Sequence, residues 1–130
     1  MMEISLNDMP CRVDTAEELT RFLDRLAQAS PCEVWLTAEN ESSLSMLKQD
    51  GFAWLMYMRY PGDSGFVSIG NKAAAGKAWF TLSNGQMDEY PVAWCVELAQ
   101  ALKAISHFLG NHGARADWIK WWETQPGDKW

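Results

Sequence analysis

The spacing of apolar residues divides the chain into two amphipathic helices and a series of short strands. The first helix is predicted within residues 13–30, where Asp14 and Glu17 have the spacing of a capping box. The second is predicted within residues 93–113, where Gly110 or Gly113 can supply the left-handed residue that ends a helix. The two apolar stripes are Leu19, Phe22, Leu23 and Leu26, and Leu98, Ala101, Leu102, Ile105, Phe108 and Leu109.

Short alternating or fully apolar runs bounded by turn residues predict the strands. These runs are residues 2–6, as an edge strand, and residues 32–39, 43–49, 52–60, 66–70, 79–85 and 117–123. Asp50 and Gly51 predict a hairpin turn, and the run that follows is apolar at both alternating sets, which is typical of a central strand covered on both faces. We therefore predict an α+β fold in one domain spanning residues 1–130, with an antiparallel sheet of about five to seven strands and two main helices.

Several tryptophans are predicted to lie on strand faces that should be exposed to solvent. Strand alternation places Trp79 on the side opposite Phe80, together with Thr81 and Ser83. In the last strand the same argument buries Trp121 beside Ile119 and leaves Trp118 and Trp122 on the more polar face. Clustered exposed aromatic side chains favour a contact surface, although a helix or loop covering this face is the open alternative.

Charge and composition narrow the class of protein. The chain has 130 residues, 48% hydrophobic and 22% charged, with a formal net charge of −6, as expected of a folded acidic domain. Such a surface repels the phosphate backbone, which argues against direct nucleic-acid binding and suits a basic partner. No apolar run approaches the length of a membrane span, and the start lacks a signal-peptide pattern, so we expect a cytoplasmic protein that does not bind a membrane.

No combination of residues predicts catalysis or a cofactor. Cys11, Cys32 and Cys95 lack any paired spacing and indicate reduced thiols, with Cys95 expected to be buried on a helix. His107 and His112 have no ligand partners at metal-binding spacing. The scattered acidic residues lie in or beside predicted turns, where carboxylates are usually solvated. These residues are Asp50, Asp63, Asp88 and Glu89. We therefore expect neither an enzyme nor a metal or cofactor site.

Phe108, Gly113, Arg115, Ile119 and Trp121 fit the pattern F-x(4)-G-x-R-P-x-x-[VI]-x-W, and Ala116 stands where the pattern has proline. Through this ending, the C-terminal half resembles the first-numbered family of bacterial immunity proteins in polymorphic toxin systems. The resemblance covers roughly residues 44–123. It implies an α+β protein without catalytic activity that binds a cognate toxin domain, encoded by a neighbouring gene, as a one-to-one heterodimer.

The resemblance and the acidic surface together predict how the toxin is blocked. Family members are commonly encoded beside deaminase toxins, and an acidic protein can occupy the positive groove of a toxin that acts on nucleic acid. A chaperone or adaptor for a secretion-system effector is the alternative, because it would also be small, acidic and cytoplasmic. The candidate toxin-binding residues are Trp54, Tyr60, Asp63, Trp79, Asp88, Glu89, Trp118 and Trp122.

Overall fold

The computed structural model describes residues 2–125, which form nine strands, two α-helices and a 3₁₀ turn. The strands are β1 (Glu3–Leu6), β2 (Met9–Cys11), β3 (Cys32–Thr37), β4 (Ser43–Gln49), β5 (Phe52–Met58), β6 (Phe66–Ile69), β7 (Lys77–Thr81), β8 (Met87–Pro91) and β9 (Lys120–Glu123). The helices are α1 (Ala16–Gln28) and α2 (Leu98–Gly110), and the 3₁₀ turn is Val92–Trp94. The predicted α+β fold is confirmed.

Seven strands form one antiparallel sheet in the order β2-β1-β3-β4-β5-β6-β9, and β7 pairs with β8 in a separate two-stranded sheet. Asp50 and Gly51 make the predicted tight turn between β4 and β5, with φ of 52° and 82°. Positive φ at both positions is what a two-residue hairpin loop requires. The prediction of an edge strand near the start is corrected, because β2 pairs outside β1 and forms that edge of the sheet.

The helices cover one face of the large sheet and form the main hydrophobic core with it. Phe22 and Leu26 of α1 and Ile105 and Phe108 of α2 are buried there against inward residues of the inner strands. The predicted capping box is shifted by one residue, because Thr15 and Glu18, not Asp14 and Glu17, exchange the two capping hydrogen bonds. The sequence contains both overlapping pairs, and the Asp14 carboxylate bonds the guanidinium of Arg12 instead.

The β7–β8 hairpin lies against the opposite face of the sheet and builds a second, smaller core. Phe80 is buried there with Leu47, Trp54 and Val67. The two faces of β5 therefore pack against different cores, since Leu55 contributes to the main core and Trp54 to the smaller one. The predicted central strand covered on both faces is confirmed.

The 3₁₀ turn is held to the sheet where β6 separates from β5. The Ser68 hydroxyl accepts a hydrogen bond from the Leu55 N–H at 2.9 Å and donates one to the Trp94 carbonyl at 2.8 Å. Gly70 allows this approach, because a Cβ there would overlap the Cys95 carbonyl. Cys95 is partly buried at the end of the 3₁₀ turn, so the prediction that it lies on a helix is wrong.

The turn after α2 is fixed to the sheet through one carbonyl group. The Gly113 carbonyl accepts hydrogen bonds from the Tyr57 hydroxyl and the Ser42 hydroxyl, each at 3.0 Å. Gly113 has φ of +84°, and its N–H bonds the Phe108 carbonyl at 3.0 Å, so it supplies the predicted left-handed residue. A Cβ on Gly113 would lie 2.6 Å from the Cβ of Ala38 and would also overlap the Ser42 hydroxyl.

We predict that Gly113→Ala lowers the free energy of unfolding by about 2 kcal/mol or more, because the substitution adds left-handed strain to a steric overlap. Urea unfolding followed by circular dichroism measures this loss. Gly110→Ala is the matched control, since Gly110 ends α2 with nothing within 4 Å of its added Cβ. We expect the control to stay within about 1 kcal/mol of wild type, and equal losses in the two variants would contradict the role given to Gly113.

Candidate functional site

The structure separates the eight predicted contact residues into exposed and covered positions. Trp79 and Tyr60 are each 52% exposed and Trp118 is 44% exposed, whereas Trp54 is 4% and Asp63 is 7% exposed. Glu89 is exposed, and Asp88 and Trp122 are partly buried. Only some of these side chains therefore offer surface to a partner, and they lie in more than one place.

The first surface is the outward side of the β7–β8 hairpin, which we call the outer hairpin face and define by Lys77, Trp79, Met87 and Glu89. Trp79 lies directly across the strand pair from Glu89, and Met87 pairs with Thr81 one position further along the same side. Met87 is 54% exposed, so two large apolar side chains lie in solvent next to a carboxylate. The predicted exposure of Trp79 opposite buried Phe80 is confirmed.

Sequence reasoning placed Asp88 and Glu89 in a turn, and the structure corrects this. Both residues belong to β8, and the turn is made earlier, around Gly85 with φ of +89°. Acidic residues are depleted in strands, which concealed β8, but this strand is exposed on one side and tolerates them. Met87 was missed for the same reason, because residues 87–91 show no alternation of apolar and polar residues that would predict a strand.

A carboxylate of the large sheet holds the tip of the hairpin. Glu33 accepts hydrogen bonds at 2.9 Å from both the backbone N–H and the hydroxyl of Ser83, and one at 2.8 Å from the Trp35 indole. Partial burial raises the pKa of Glu33, but the hydrogen bonds from Ser83 and Trp35 outweigh it and leave the pKa below its ordinary value. An ionised side chain of the large sheet thus anchors the hairpin that carries the outer hairpin face.

Aromatic packing holds the other end of the hairpin. The Tyr90 ring lies 4.5 Å from the Trp54 ring and 5.7 Å from the Trp94 ring, measured between centroids. Burial, with the neighbouring Asp88 carboxylate that the Tyr90 hydroxyl bonds at 3.1 Å, raises the pKa of Tyr90 to about 12. Trp122 packs on the same cluster, 6.3 Å from Trp94. The hairpin and the 3₁₀ turn therefore cover the face on which Trp54 and Trp122 were expected to be available.

The second surface is a row of alternating aromatic and cationic side chains, the arginine–aromatic row, defined by Tyr60, Arg59, Phe66 and Arg115. The Arg59 guanidinium lies 5.6 Å from the Tyr60 ring centroid and 5.1 Å from that of Phe66, and the Arg115 guanidinium lies 4.4 Å from Phe66. These distances are those of cation–π contacts. Within the row, predicted Tyr60 lies beside Arg59, and Phe66 links Arg59 to Arg115. Sequence reasoning selected neither arginine as a contact residue.

Asp63 orients the Arg59 side chain of the row, and its own charge is not available to a partner. Its carboxylate accepts two side-chain hydrogen bonds from Arg59, at 2.9 and 3.0 Å, and one from the Arg59 backbone at 2.9 Å. The Asp63 side chain is 1% exposed, and the Arg59 bonds hold its pKa well below the usual range. The expectation that this charge stays available to a partner is therefore corrected.

Two further tryptophans lie partly in solvent away from these surfaces. Trp118 contacts the His107 ring edge-on at 5.2 Å, beside the end of α2. Trp35 is 37% exposed on the face of the sheet that carries the hairpin. Sequence reasoning missed Trp35, although the alternation of β3 places it opposite the buried Val34 and Leu36.

Chemistry-bearing groups in residues 2–125 do not assemble into a metal site, since no three His, Cys, Asp or Glu side chains there could hold an ion. All three cysteines are free thiols, as predicted, and burial raises the pKa of Cys32 and of Cys95 to about 11. Within the same residues, neither helix has the length and apolarity needed to cross a lipid bilayer.

These features define a small antiparallel α+β protein with an outer hairpin face and an arginine–aromatic row. The family described as immunity protein Imm1 matches residues 7–123 of the chain, and the protein therefore belongs to this family. The resemblance seen in the C-terminal residues is confirmed, and family membership makes a cognate toxin the partner. No match is found among curated proteins.

We predict that Glu33→Gln destabilises the protein by about 1 kcal/mol at neutral pH, because it weakens charge-assisted hydrogen bonds at a partly exposed carboxylate. A lowered pKa contributes stability that is present above the ordinary value of 4.5 and is lost as the pH falls through the folded pKa. The difference between wild type and variant in urea unfolding should therefore vanish in acid. Glu3→Gln, at an exposed position of β1, is the control, and a difference independent of pH would contradict this role of Glu33.

Proposed function

We propose that this immunity protein neutralises a nucleic-acid-targeting toxin, such as a deaminase, by binding over its active site in the cytoplasm. Membership of the immunity family supports a toxin as the partner, in preference to the effector of a chaperone or adaptor. The net charge of −6 supports a toxin with a positive substrate groove. Binding without catalysis is then sufficient, because an occluded groove admits no substrate.

The exposure of large apolar side chains on the outer hairpin face is the observation that supports a binding surface there. Trp79 and Met87 expose more than half of their surface on a hairpin that Glu33 and the smaller core hold in place. Large aromatic side chains supply most of the energy at protein interfaces when they become buried there. Glu89 beside them adds the charge that a basic partner requires. We propose this face as the main toxin contact.

The other predicted contact residues divide according to their surroundings. Tyr60 lies in the arginine–aromatic row, and Trp118 is exposed beside α2, so both remain proposed secondary contacts. Asp88, bonded to Tyr90, contributes charge from the edge of the hairpin. Three of the predicted residues support these surfaces from the interior, by packing or by hydrogen bonding: Trp54, Asp63 and Trp122.

Stoichiometric inhibition is the direct test of the function. The toxin domain encoded by a neighbouring gene should co-purify with this protein as a one-to-one complex, with a dissociation constant of about 1 nM or lower, equivalent to about −12 kcal/mol. Toxin activity should fall linearly with added protein and reach zero at equimolar amounts. Complete inhibition by a small fraction of an equivalent would indicate turnover and reject the binding mechanism.

We predict that Trp79→Ala weakens toxin binding by about 2 kcal/mol or more, while the free energy of unfolding changes by less than about 1 kcal/mol. Met87→Ala should also weaken binding, because its side chain flanks the same contact. Isothermal titration calorimetry and urea unfolding measure the two quantities.

Two controls sharpen this comparison. Met9→Ala removes a methionine side chain that is 65% exposed on edge strand β2, and it should leave affinity unchanged. Trp54→Ala removes a buried tryptophan and should cost about 3–5 kcal/mol of stability. If Met9→Ala reduced affinity as much as Met87→Ala, the outer hairpin face would not be the specific contact.

A further inference from the structure

Arg115 is exposed, and its guanidinium lies over a cluster of aromatic rings. Its guanidinium carbon lies 4.4 Å from the Phe66 ring centroid, 5.8 Å from Trp121 and 5.9 Å from Tyr57. The chain on both sides is fixed, since the Gly113 carbonyl bonds Tyr57 and the Ala116 carbonyl accepts the Trp121 indole at 2.8 Å. A guanidinium that lies over an aromatic ring can still donate its N–H groups to a ligand in its own plane.

Arg115 forms no ion pair with a carboxylate in the part of the chain that the structure describes. Within residues 2–125, no side-chain hydrogen bond joins its guanidinium to another residue, and the side chain is exposed. Arg59, whose guanidinium lies 5.1 Å from the centroid of the same Phe66 ring, forms a two-pronged pair with Asp63. The two arginines thus share one ring, and only Arg59 is paired with a carboxylate.

The surroundings of Arg115 favour a single negative charge as its ligand. An open hollow of about 420 Å³ beside it is lined by both apolar and charged side chains, among them Phe66, Ile119, Asp117 and Glu123. These two carboxylates and the net charge of −6 repel a phosphate dianion more strongly than a monoanion. A carboxylate also matches the paired N–H geometry of a guanidinium.

We propose that Arg115 receives the carboxylate of an aspartate or glutamate side chain of the toxin, in the geometry that Asp63 adopts on Arg59. This proposal rests on the proposed function and adds to it a contact with a toxin carboxylate. The contact lies on the side of the sheet opposite the outer hairpin face, since Phe66 and Trp121 pack against the main core and the hairpin against the smaller one. Such a contact fixes the orientation of the complex, because a toxin that binds through basic residues alone could dock in several ways.

Arg115→Met tests the contact while it keeps an apolar side chain over the rings. We expect its affinity for the co-purified toxin domain to fall by about tenfold or more, with an unfolding midpoint close to that of wild type. Arg21→Met, at an exposed position of α1, changes the net charge equally and should leave affinity within about twofold. Equal affinities of the two variants for the toxin would overturn the proposal.

A mutant cycle identifies the partner group. Each Asp and Glu on the toxin surface is changed to Asn or Gln and titrated against wild type and against Arg115→Met. One toxin substitution should weaken wild type by about tenfold and the Arg115 variant hardly at all. If every substitution weakened both backgrounds equally, no carboxylate would pair with Arg115 and the proposal would be wrong.

Failure of this proposal is distinguishable from failure of the proposed function. If Arg115→Met binds normally while Trp79→Ala loses affinity, the carboxylate contact is rejected and the outer hairpin face stands. If the wild-type protein neither binds nor inhibits the toxin domain, both are rejected.

Discussion

The carbonyl of Gly113 is the point on which much of the structure depends. It accepts hydrogen bonds from the Tyr57 hydroxyl in β5 and from the Ser42 hydroxyl before β4, so one backbone group joins the end of α2 to the centre of the sheet. Only a residue without a side chain fits there at φ of +84°. The direction of the chain after α2, and with it the position of Arg115, follows from this contact.

The residues that carry the family resemblance gather around the same tyrosine. Phe108 and Trp121 each lie 6.3 Å from the Tyr57 ring, and Ile119 is buried in the same core. Ala116 stands at the position where the family usually has proline, and it is 2% exposed. Its carbonyl accepts a hydrogen bond from the Trp121 indole, and this bond holds the turn that a proline ring would stiffen. Most of the signature is therefore structural. Arg115 differs, because its charged edge faces solvent.

Local patterns predicted what local interactions determine. Apolar patterns identified six of the seven strands of the large sheet, but not β2, and alternation placed Trp79 correctly opposite Phe80. It could not show that the β7–β8 hairpin covers Trp54, because that contact joins segments far apart in the chain. Asp63 shows a different limit. An acid in a turn is usually solvated, so its burial against Arg59, only four residues away, was not expected. The outer hairpin face was therefore predictable in part, through Trp79 and Glu89, and the arginine–aromatic row only through Tyr60.

The central proposal is that the toxin contacts the outer hairpin face and the arginine–aromatic row, and not the exposed face of α1. Hydrogen–deuterium exchange of the protein, alone and in complex with its toxin domain, tests this claim most directly. We expect added protection in residues 77–91 and 113–123, with little change on the exposed face of α1. Protection concentrated in α1 and the exposed face of α2, with residues 77–91 unchanged, would contradict the account.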